Sequence, residues 1–335
     1  MRLPRDWTLC LCTLLIALQA FAQSVQTDNG GIRPTGITSP PPKAQAVKPR
    51  RATAVKTDDA DPDEEKPTPK AKRARSRPAP APAQPLEPTR PKGVPNTGAK
   101  SVMMIDARSG QILYEKNADE SRAAASTQKL LTALIVAEHG FLDKPVTVEF
   151  IDTLAEPVKL NIRPGDTYAR IDLLRALLVK SPNDVARCLA RDNAGSIEAF
   201  ATVMNEKARE LGAVHSHFVN PNGLPVPNQY SSARDLSLIA RAAYANPTIR
   251  SIVCLPQLVF RFANGRTREL ENTNKVLRQL PYCNGMKTGY TEAAGHCLIC
   301  SGARPGRDVI VVVLGDSKAG VWRDASALLN YGLTM

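Results

Sequence analysis

Aromatic residues are missing from a long stretch near the start of the chain. Residues 23–97 contain no Phe, Tyr or Trp and hold more than half of the 27 prolines. Such a segment cannot bury enough apolar surface to offset the conformational entropy that is lost on ordering. We therefore predict a disordered Pro/Lys/Arg-rich linker over residues 23–97 and one folded domain over residues 98–335.

Acidic residues are too few to balance the basic residues, so the protein has a net charge of +12. The linker contributes about half of the excess, with 14 Lys and Arg against 8 Asp and Glu. Because no aromatic residues alternate with these charges, a nucleic-acid partner is not expected. A solvated spacer is the preferred interpretation. The alternative is that the basic clusters contact anionic wall polymers or lipid head groups.

Long apolar runs are also scarce. One run covers residues 7–17, after Arg2 and Arg5 and before Ala20 and Ala22. This order is typical of a secretory signal peptide, and the run is shorter than the ~20 residues that span a bilayer. We expect residues 1–22 to be a signal that is cleaved after Ala22. No later run is long enough for a membrane span, so no stable membrane anchor is expected after cleavage.

Cysteines do not form a paired set. Two of the seven lie in the predicted signal, and the five that remain are an odd number, unlike a disulfide framework. Cys297 and Cys300 have CxxC spacing, but they lie in a predicted strand, where residues three apart point to opposite faces. We expect buried, unpaired thiols. A single Cys254–Cys283 bridge remains open.

Strand-like segments at both ends of the domain enclose a block of helical segments. This order predicts an α+β fold with helices on the faces of a mixed sheet. Predicted strands cover residues 101–107, 111–115, 257–262, 285–289, 298–301 and 309–314. Predicted helices cover residues 126–138, 171–179, 183–190, 198–211, 233–244 and 325–329.

Three short motifs carry the candidate chemistry. They are Ser126-Thr127-Gln128-Lys129, Ser181-Pro182-Asn183 and Lys287-Thr288-Gly289. Each one occurs by chance in many proteins, but all three in this order match the S-x-x-K, S-D-N, K-T-G set of penicillin-binding enzymes except at Pro182.

Ser126 and Lys129 are three residues apart, so on a helix the amine can reach the hydroxyl. A lysine can act as a base if burial and a second cation destabilise its ammonium form, and Lys287 is the candidate second cation. At the first turn of a helix, the backbone N–H of Ser126 is also free to donate to an oxyanion. The alternative role for Ser126 is a helix N-cap.

The other two motifs supply candidate groups for the leaving amine and the substrate. Ser181 could pass a proton to the amine, and Asn183 could hold the lysine and a substrate amide. Lys287 and Thr288 could bind a terminal carboxylate, while Gly289 would let a substrate backbone approach the strand. The alternatives are turn chemistry at Ser181 and Asn183 and an edge-strand lysine at 287.

These motifs, taken together, resemble the serine-type D-Ala-D-Ala carboxypeptidases, the low-molecular-weight penicillin-binding proteins of peptidase family S11. The resemblance implies a β-lactamase/transpeptidase-like fold, with an antiparallel sheet of about five strands flanked by helices. It implies an oxyanion hole from the N–H groups of Ser126 and Tyr290, and a carboxylate-binding role for Arg323. Further similar stretches are 105–107, 163–166, 204–205, 211–212, 218–224 and 272–274.

The activity implied by the resemblance is removal of the terminal D-Ala from peptidoglycan stem peptides, through an acyl-enzyme on Ser126. It also implies β-lactam antibiotics as covalent inhibitors. The signal-like start predicts a secreted, periplasmic protein. No third ligand accompanies His215 and His217, so we expect no metal, and no cofactor is expected. Open alternatives are a D,D-endopeptidase and a non-catalytic wall-binding module. A β-lactamase is disfavoured because residues 216–232 contain no acidic residue for deacylation. A Ser-His-Asp hydrolase is disfavoured because none of the four histidines lies in a triad pattern.

Three features depart from the family pattern. Pro182 replaces the usual glycine, and its fixed φ and missing N–H could reshape the loop. Ala125 precedes the serine where the family often has proline. The chain ends at Met335, from which we expect no additional β-domain and no C-terminal amphipathic anchor.

Overall fold

The computed structural model of this protein describes residues 92–335. The predicted signal peptide, and the predicted linker up to residue 91, lie outside the described residues. The folded part begins before residue 98, because Val94 is buried in the core and the Gly98 amide donates to Asp324 Oδ2 at 2.6 Å. The predicted linker boundary at residue 97 is therefore a few residues too late.

Strands occur in both halves of the domain. They are β1 Ser101–Asp106, β2 Ile112–Lys116, β3 Pro145–Thr147, β4 Thr167–Ala169, β5 Gln257–Arg261, β6 Thr267–Glu271, β7 Cys283–Thr291, β8 Gly295–Arg304 and β9 Arg307–Asp316. The α-helices are α1 Lys129–His139, α2 Arg170–Lys180, α3 Asn183–Ala194, α4 Ile197–Glu210, α5 Ala233–Ala245, α6 Pro247–Val253, α7 Val276–Gln279 and α8 Gly320–Thr334. Two 3₁₀ helices cover Ala125–Gln128 and Phe150–Thr153.

A five-stranded sheet forms the centre of the fold, in the order β2-β1-β9-β8-β7. All four neighbouring pairs are antiparallel. The predicted α+β architecture with about five antiparallel strands is therefore confirmed. The predicted strand at 257–262 forms as β5, but it pairs with β6 in a separate two-stranded sheet.

Both faces of the central sheet are covered. Side chains alternate along each strand, so one set packs against the block of helices α1–α6 and the other packs against α8. Cys297 belongs to the first core and Cys300 to the second, as the strand prediction requires. All five cysteines of the described residues are unbridged, and Cys254 is exposed whereas Cys283 is buried.

The ends of some helices differ from those predicted from the sequence. The helix predicted at 325–329 runs over Gly320–Thr334, and a Cβ atom on Gly332 of this helix would lie 2.8 Å from Met104 Sδ. The helix predicted from residue 126 begins as the 3₁₀ helix Ala125–Gln128 and becomes α-helical at Lys129. Within residues 92–335, no helix combines the length and the hydropathy needed to cross a bilayer.

Candidate active site

Ser126 lies in the 3₁₀ helix directly before α1, and Lys129 is the first residue of α1. The Lys129 Nζ atom is 2.7 Å from Ser126 Oγ, so the three-residue spacing brings the amine to the hydroxyl. Ser126 Oγ also donates to the Asn222 carbonyl at 3.3 Å. The side chain of Ser126 does not cap the helix, which argues against a purely structural role.

Lys129 is fully buried and has three polar neighbours. Its Nζ donates to Ser126 Oγ, to Asn183 Oδ1 at 2.7 Å and to the Asn222 carbonyl at 2.9 Å. A neutral amine keeps two N–H donors for the two amide oxygens, so its lone pair then faces the Ser126 hydroxyl. The contacts therefore suit a lysine that accepts the serine proton.

Charge and burial both act on this amine. Burial is the main cause that lowers the Lys129 pKa well below its usual value, and the positive charge of Lys287 lowers it further. The negative charge of Asp184 acts in the opposite direction. The neutral form of Lys129 is therefore accessible far below the pH at which an ordinary lysine loses its proton.

The loop between α2 and α3 places Asn183 of the second motif next to Lys129. Ser181 ends α2 in the left-handed region, with φ 67° and ψ 32°, and its amide donates to the Leu177 carbonyl at 3.1 Å. Pro182 precedes α3 with φ −69°, which is the angle that its ring imposes. The φ that the loop has at residue 182 is therefore compatible with proline. Asn183 begins α3 and is buried against Lys129.

The third motif lies on β7, at the edge of the central sheet. Lys287 is almost fully buried, and burial lowers its pKa to about 7. Its Nζ donates to the Thr288 carbonyl at 3.0 Å, while Thr288 Oγ1 donates to Thr273 Oγ1 at 2.7 Å. The Thr273 amide in turn donates to Val179 at the end of α2, which links β7 to the helical block.

Gly289 passes directly beside the nucleophile. A Cβ atom built on Gly289 would lie 2.9 Å from Ser126 N and 3.0 Å from Thr127 N. The glycine is therefore needed for contact between β7 and the 3₁₀ helix of the protein itself, whatever it does for a substrate. Tyr290 follows on the strand, is 57% exposed and stacks on His296 with ring centroids 4.4 Å apart.

Arg323 is a predicted site residue without a hydrogen bond to the other predicted site residues within residues 92–335. It lies on α8, and its side chain is 73% exposed. Its Nε donates to Asp324 Oδ1 at 2.8 Å. Its role in binding a carboxylate stays a prediction.

A turn at residues 220–223, which is not among the predicted site residues, packs against the 3₁₀ helix that carries the nucleophile. The carbonyls of Asn220, Pro221 and Asn222 accept from Gln128 Nε2, Thr132 Oγ1 and Lys129 Nζ, respectively. These contacts clamp the 3₁₀ helix and the first turn of α1. The Asn-Pro-Asn-Gly sequence indicates a turn, but its position behind Ser126 depends on contacts about 90 residues apart in the chain.

Gly223 closes this turn, with φ +83°, and a Cβ atom there would lie 2.0 Å from the Ala125 carbonyl oxygen. Gly223→Ala is expected to displace the 3₁₀ helix, slow the predicted acylation of Ser126 at least about tenfold and destabilise the fold by more than the ~1 kcal/mol of a positive φ alone. The matched control is Gly165→Ala, since Gly165 has φ +85° and open space around its Cβ position. Thermal unfolding and acylation rates check the prediction, and equal losses in both variants would contradict it.

The histidines do not contact the nucleophile. His215 Nδ1 lies 3.8 Å from carboxylate oxygens of Asp119 and Asp235, and His217 Nδ1 lies 2.7 Å from the Asn228 carbonyl oxygen. The described part of the chain contains no group of three His, Cys, Asp or Glu side chains that could hold a metal. Among the residues the structure describes, the groups that hydrogen-bond to the Ser126 hydroxyl are Lys129 and Asn222.

Comparison with known proteins identifies the family of this chain. The profile of the peptidase S11 family, described as D-alanyl-D-alanine carboxypeptidase, matches residues 88–318. The chain belongs to this family. As a member, it is a serine-type D-alanyl-D-alanine carboxypeptidase, and the resemblance inferred from the three motifs is confirmed.

Individual relatives include both carboxypeptidases and endopeptidases. The chain is 33% identical to the D-alanyl-D-alanine carboxypeptidase DacB2 of Mycobacterium tuberculosis over 75% of its own length and 87% of that protein. It is 33% identical to a D-alanyl-D-alanine endopeptidase of Escherichia coli, over 71% of this chain and 78% of that one. Among solved structures, a mutant DD-transpeptidase from Streptomyces aligns with a TM-score of 0.68 and 29% identity, over 72% of this chain and 100% of that one. The transpeptidase-like fold is therefore confirmed.

Proposed function

We propose that this protein removes the terminal D-Ala from peptidoglycan stem peptides through an acyl-enzyme on Ser126. The observation that carries the proposal is the 2.7 Å contact between Ser126 Oγ and the buried Lys129 amine, whose pKa is lowered by burial and by Lys287. A hydroxyl next to a neutral amine is an activated nucleophile.

In the acylation step, Ser126 Oγ attacks the carbonyl carbon of the penultimate D-Ala, and Lys129 takes the hydroxyl proton. The N–H groups of Ser126 and Tyr290 are the proposed donors to the oxyanion. Ser181 passes the proton to the amine of the terminal D-Ala, which leaves as the C–N bond breaks. Lys287, Thr288 and Arg323 are the proposed partners of its carboxylate.

In the deacylation step, water attacks the ester carbon and gives a proton to Lys129. The bond between the acyl carbon and Ser126 Oγ then breaks, Lys129 returns a proton to Ser126 Oγ, and the shortened peptide is released as the acid. Asn183 keeps the lysine in place through its amide oxygen, 2.7 Å from Nζ. β-Lactam antibiotics are proposed to acylate the same serine, because their strained amide meets the same nucleophile. No step requires a metal or a cofactor.

Export to the periplasm is part of the proposal. It is supported by the signal-like pattern of residues 1–22 and by the cell-wall substrates of the family.

A second candidate is D,D-endopeptidase action on cross-linked peptides, which the similarity to the Escherichia coli endopeptidase favours. The full chain should be incubated with a pentapeptide and with a cross-linked dimer, and the products followed by mass spectrometry. Release of D-Ala from the pentapeptide is the expected main reaction. Cleavage of the dimer with an intact pentapeptide would favour the endopeptidase. Absence of both reactions and of labelling by fluorescent penicillin would favour a non-catalytic module.

A further inference from the structure

Asp184 follows Asn183 in α3 and is fully buried, although no candidate role has been assigned to it. Its Oδ1 accepts from the amides of Leu160 and Val185, both at 3.0 Å, and its Oδ2 accepts from the amide of Asn161 at 2.8 Å. All three donors are uncharged. Within residues 92–335, Asp184 forms no salt bridge, so its charge is held by backbone dipoles alone. A buried carboxylate without a contacting cation is costly and calls for an explanation.

The hydrogen bonds of Asp184 join the start of α3 to the segment at residues 160–161. Its carboxylate binds the amides of Leu160 and Asn161, while the Asn183 amide donates to the Val158 carbonyl at 2.7 Å. Two consecutive residues of α3 are therefore attached to residues 158–161. Because Asn183 Oδ1 receives a hydrogen bond from Lys129, this attachment determines where the amide oxygen meets the catalytic amine.

The negative charge of Asp184 also affects the pKa of Lys129. The charged side chains that act on Lys129 are Lys287 from β7, which lowers its pKa, and Asp184 from α3, which raises it. The charge of Asp184 also contributes to the raised pKa of Tyr168, which lies next to the Asp166 carboxylate. The buried site thus holds two lysines and one carboxylate.

We propose that Asp184 is a positioning residue of this active site: it anchors Asn183 to residues 158–161 and supplies a buried negative charge that acts on the Lys129 amine. The inference rests on the proposed function, in which Lys129 is the base. Within residues 92–335, Asp184 makes no hydrogen bond to Ser126. It acts through Asn183 and through its field at Lys129.

Removing the negative charge of Asp184 should shift the pH dependence of acylation in one direction. Acylation requires neutral Lys129, so the rate rises as the pH passes through the Lys129 pKa. Asp184 favours the protonated amine, and Asp184→Asn therefore moves this acid limb to lower pH, by about one unit. The plateau rate falls about tenfold or more, because the new amide group faces N–H donors and loosens the anchor.

The test is the second-order rate of labelling by fluorescent penicillin, measured against pH with the full chain. Asp184→Asn removes the charge, and Asp184→Glu keeps the charge but displaces the carboxylate by one methylene. The matched control is Asp192→Asn, which removes another nearly buried carboxylate of α3, one that pairs with Arg170. We expect a shifted limb in Asp184→Asn alone, and a lowered plateau with an unmoved limb in Asp184→Glu.

An unmoved acid limb in a folded Asp184→Asn variant, or an equal shift in Asp192→Asn, overturns the inference. If Asp184→Asn does not fold, Asp184→Glu decides: an unchanged plateau contradicts the anchoring role, and a lowered plateau with an unmoved limb supports the inference. Failure of the unaltered protein to react with penicillin would contradict the proposed function, and the inference with it. Normal labelling with an unmoved limb contradicts the inference alone.

Discussion

Ser126→Ala is expected to abolish both the release of D-Ala and covalent labelling by penicillin, with a loss of at least about 10⁴-fold. The reason is chemical, because Ser126 Oγ is the hydroxyl that contacts the Lys129 amine within residues 92–335, and no ester can form without it. Fold stability should change little, by about 1 kcal/mol, since the change removes hydrogen bonds of one half-buried hydroxyl. Intact-mass spectrometry after incubation with penicillin checks the result directly.

The control for this experiment is Ser251→Ala, because Ser251 is an exposed serine on α6 whose Oγ donates to the Thr248 carbonyl. It should acylate at the rate of the unaltered protein. A penicillin adduct on Ser126→Ala, located by peptide mapping to another residue, would show that the nucleophile has been assigned wrongly.

Lys129→Met is expected to lower the acylation rate by about 10³-fold while the protein remains folded. The thioether has nearly the shape of the lysine stem but cannot accept the serine proton. It also cannot donate to Asn183 Oδ1 or to the Asn222 carbonyl, so modest destabilisation is expected. Acylation rates and thermal unfolding, measured on the same preparation, separate the two effects.

A second variant, Lys129→Arg, tests whether Lys129 acts as a base or only as a positive charge. A guanidinium keeps the positive charge but stays protonated, so it should not restore the rate at any pH at which the fold survives. Lys144→Met serves as the control, because Lys144 is a half-exposed lysine that pairs with Asp192. Recovery of activity in Lys129→Arg would mean that Lys129 acts as a charge and not as a base.

Several features of the site could be predicted because they depend on neighbours in the sequence. The spacing of Ser126 and Lys129 needs only a helical turn, and the Ser181–Asn183 loop needs only a helix end followed by a helix start. The separation of Cys297 and Cys300 onto two faces follows from strand alternation. Helix α6 was missed although Asn246 caps it and Pro247 begins it, a pattern that sequence rules describe.

Other features could not be predicted because they arise from contacts between distant segments. The roles of Asn222 and Gly223 depend on a turn that packs behind a helix start almost a hundred residues earlier. The sequence predicts an ordinary acidic residue in the first turn of a helix at Asp184. No neighbouring residue in the sequence indicates that it is buried against residues 160–161. The contact between Gly289 and the 3₁₀ helix likewise exists only once β7 is in place.

The sequence by itself determined which chemical groups are present, in what order, and which of them a helical turn brings together. Only the tertiary structure decided that the Lys129 amine is buried, that Lys287 and Asp184 act on it from β7 and α3, and that a backbone carbonyl holds it in place. The physical reason is that a pKa depends on solvent exclusion and on the field of charges nearby in space. Both appear only when segments that are far apart in the chain pack together.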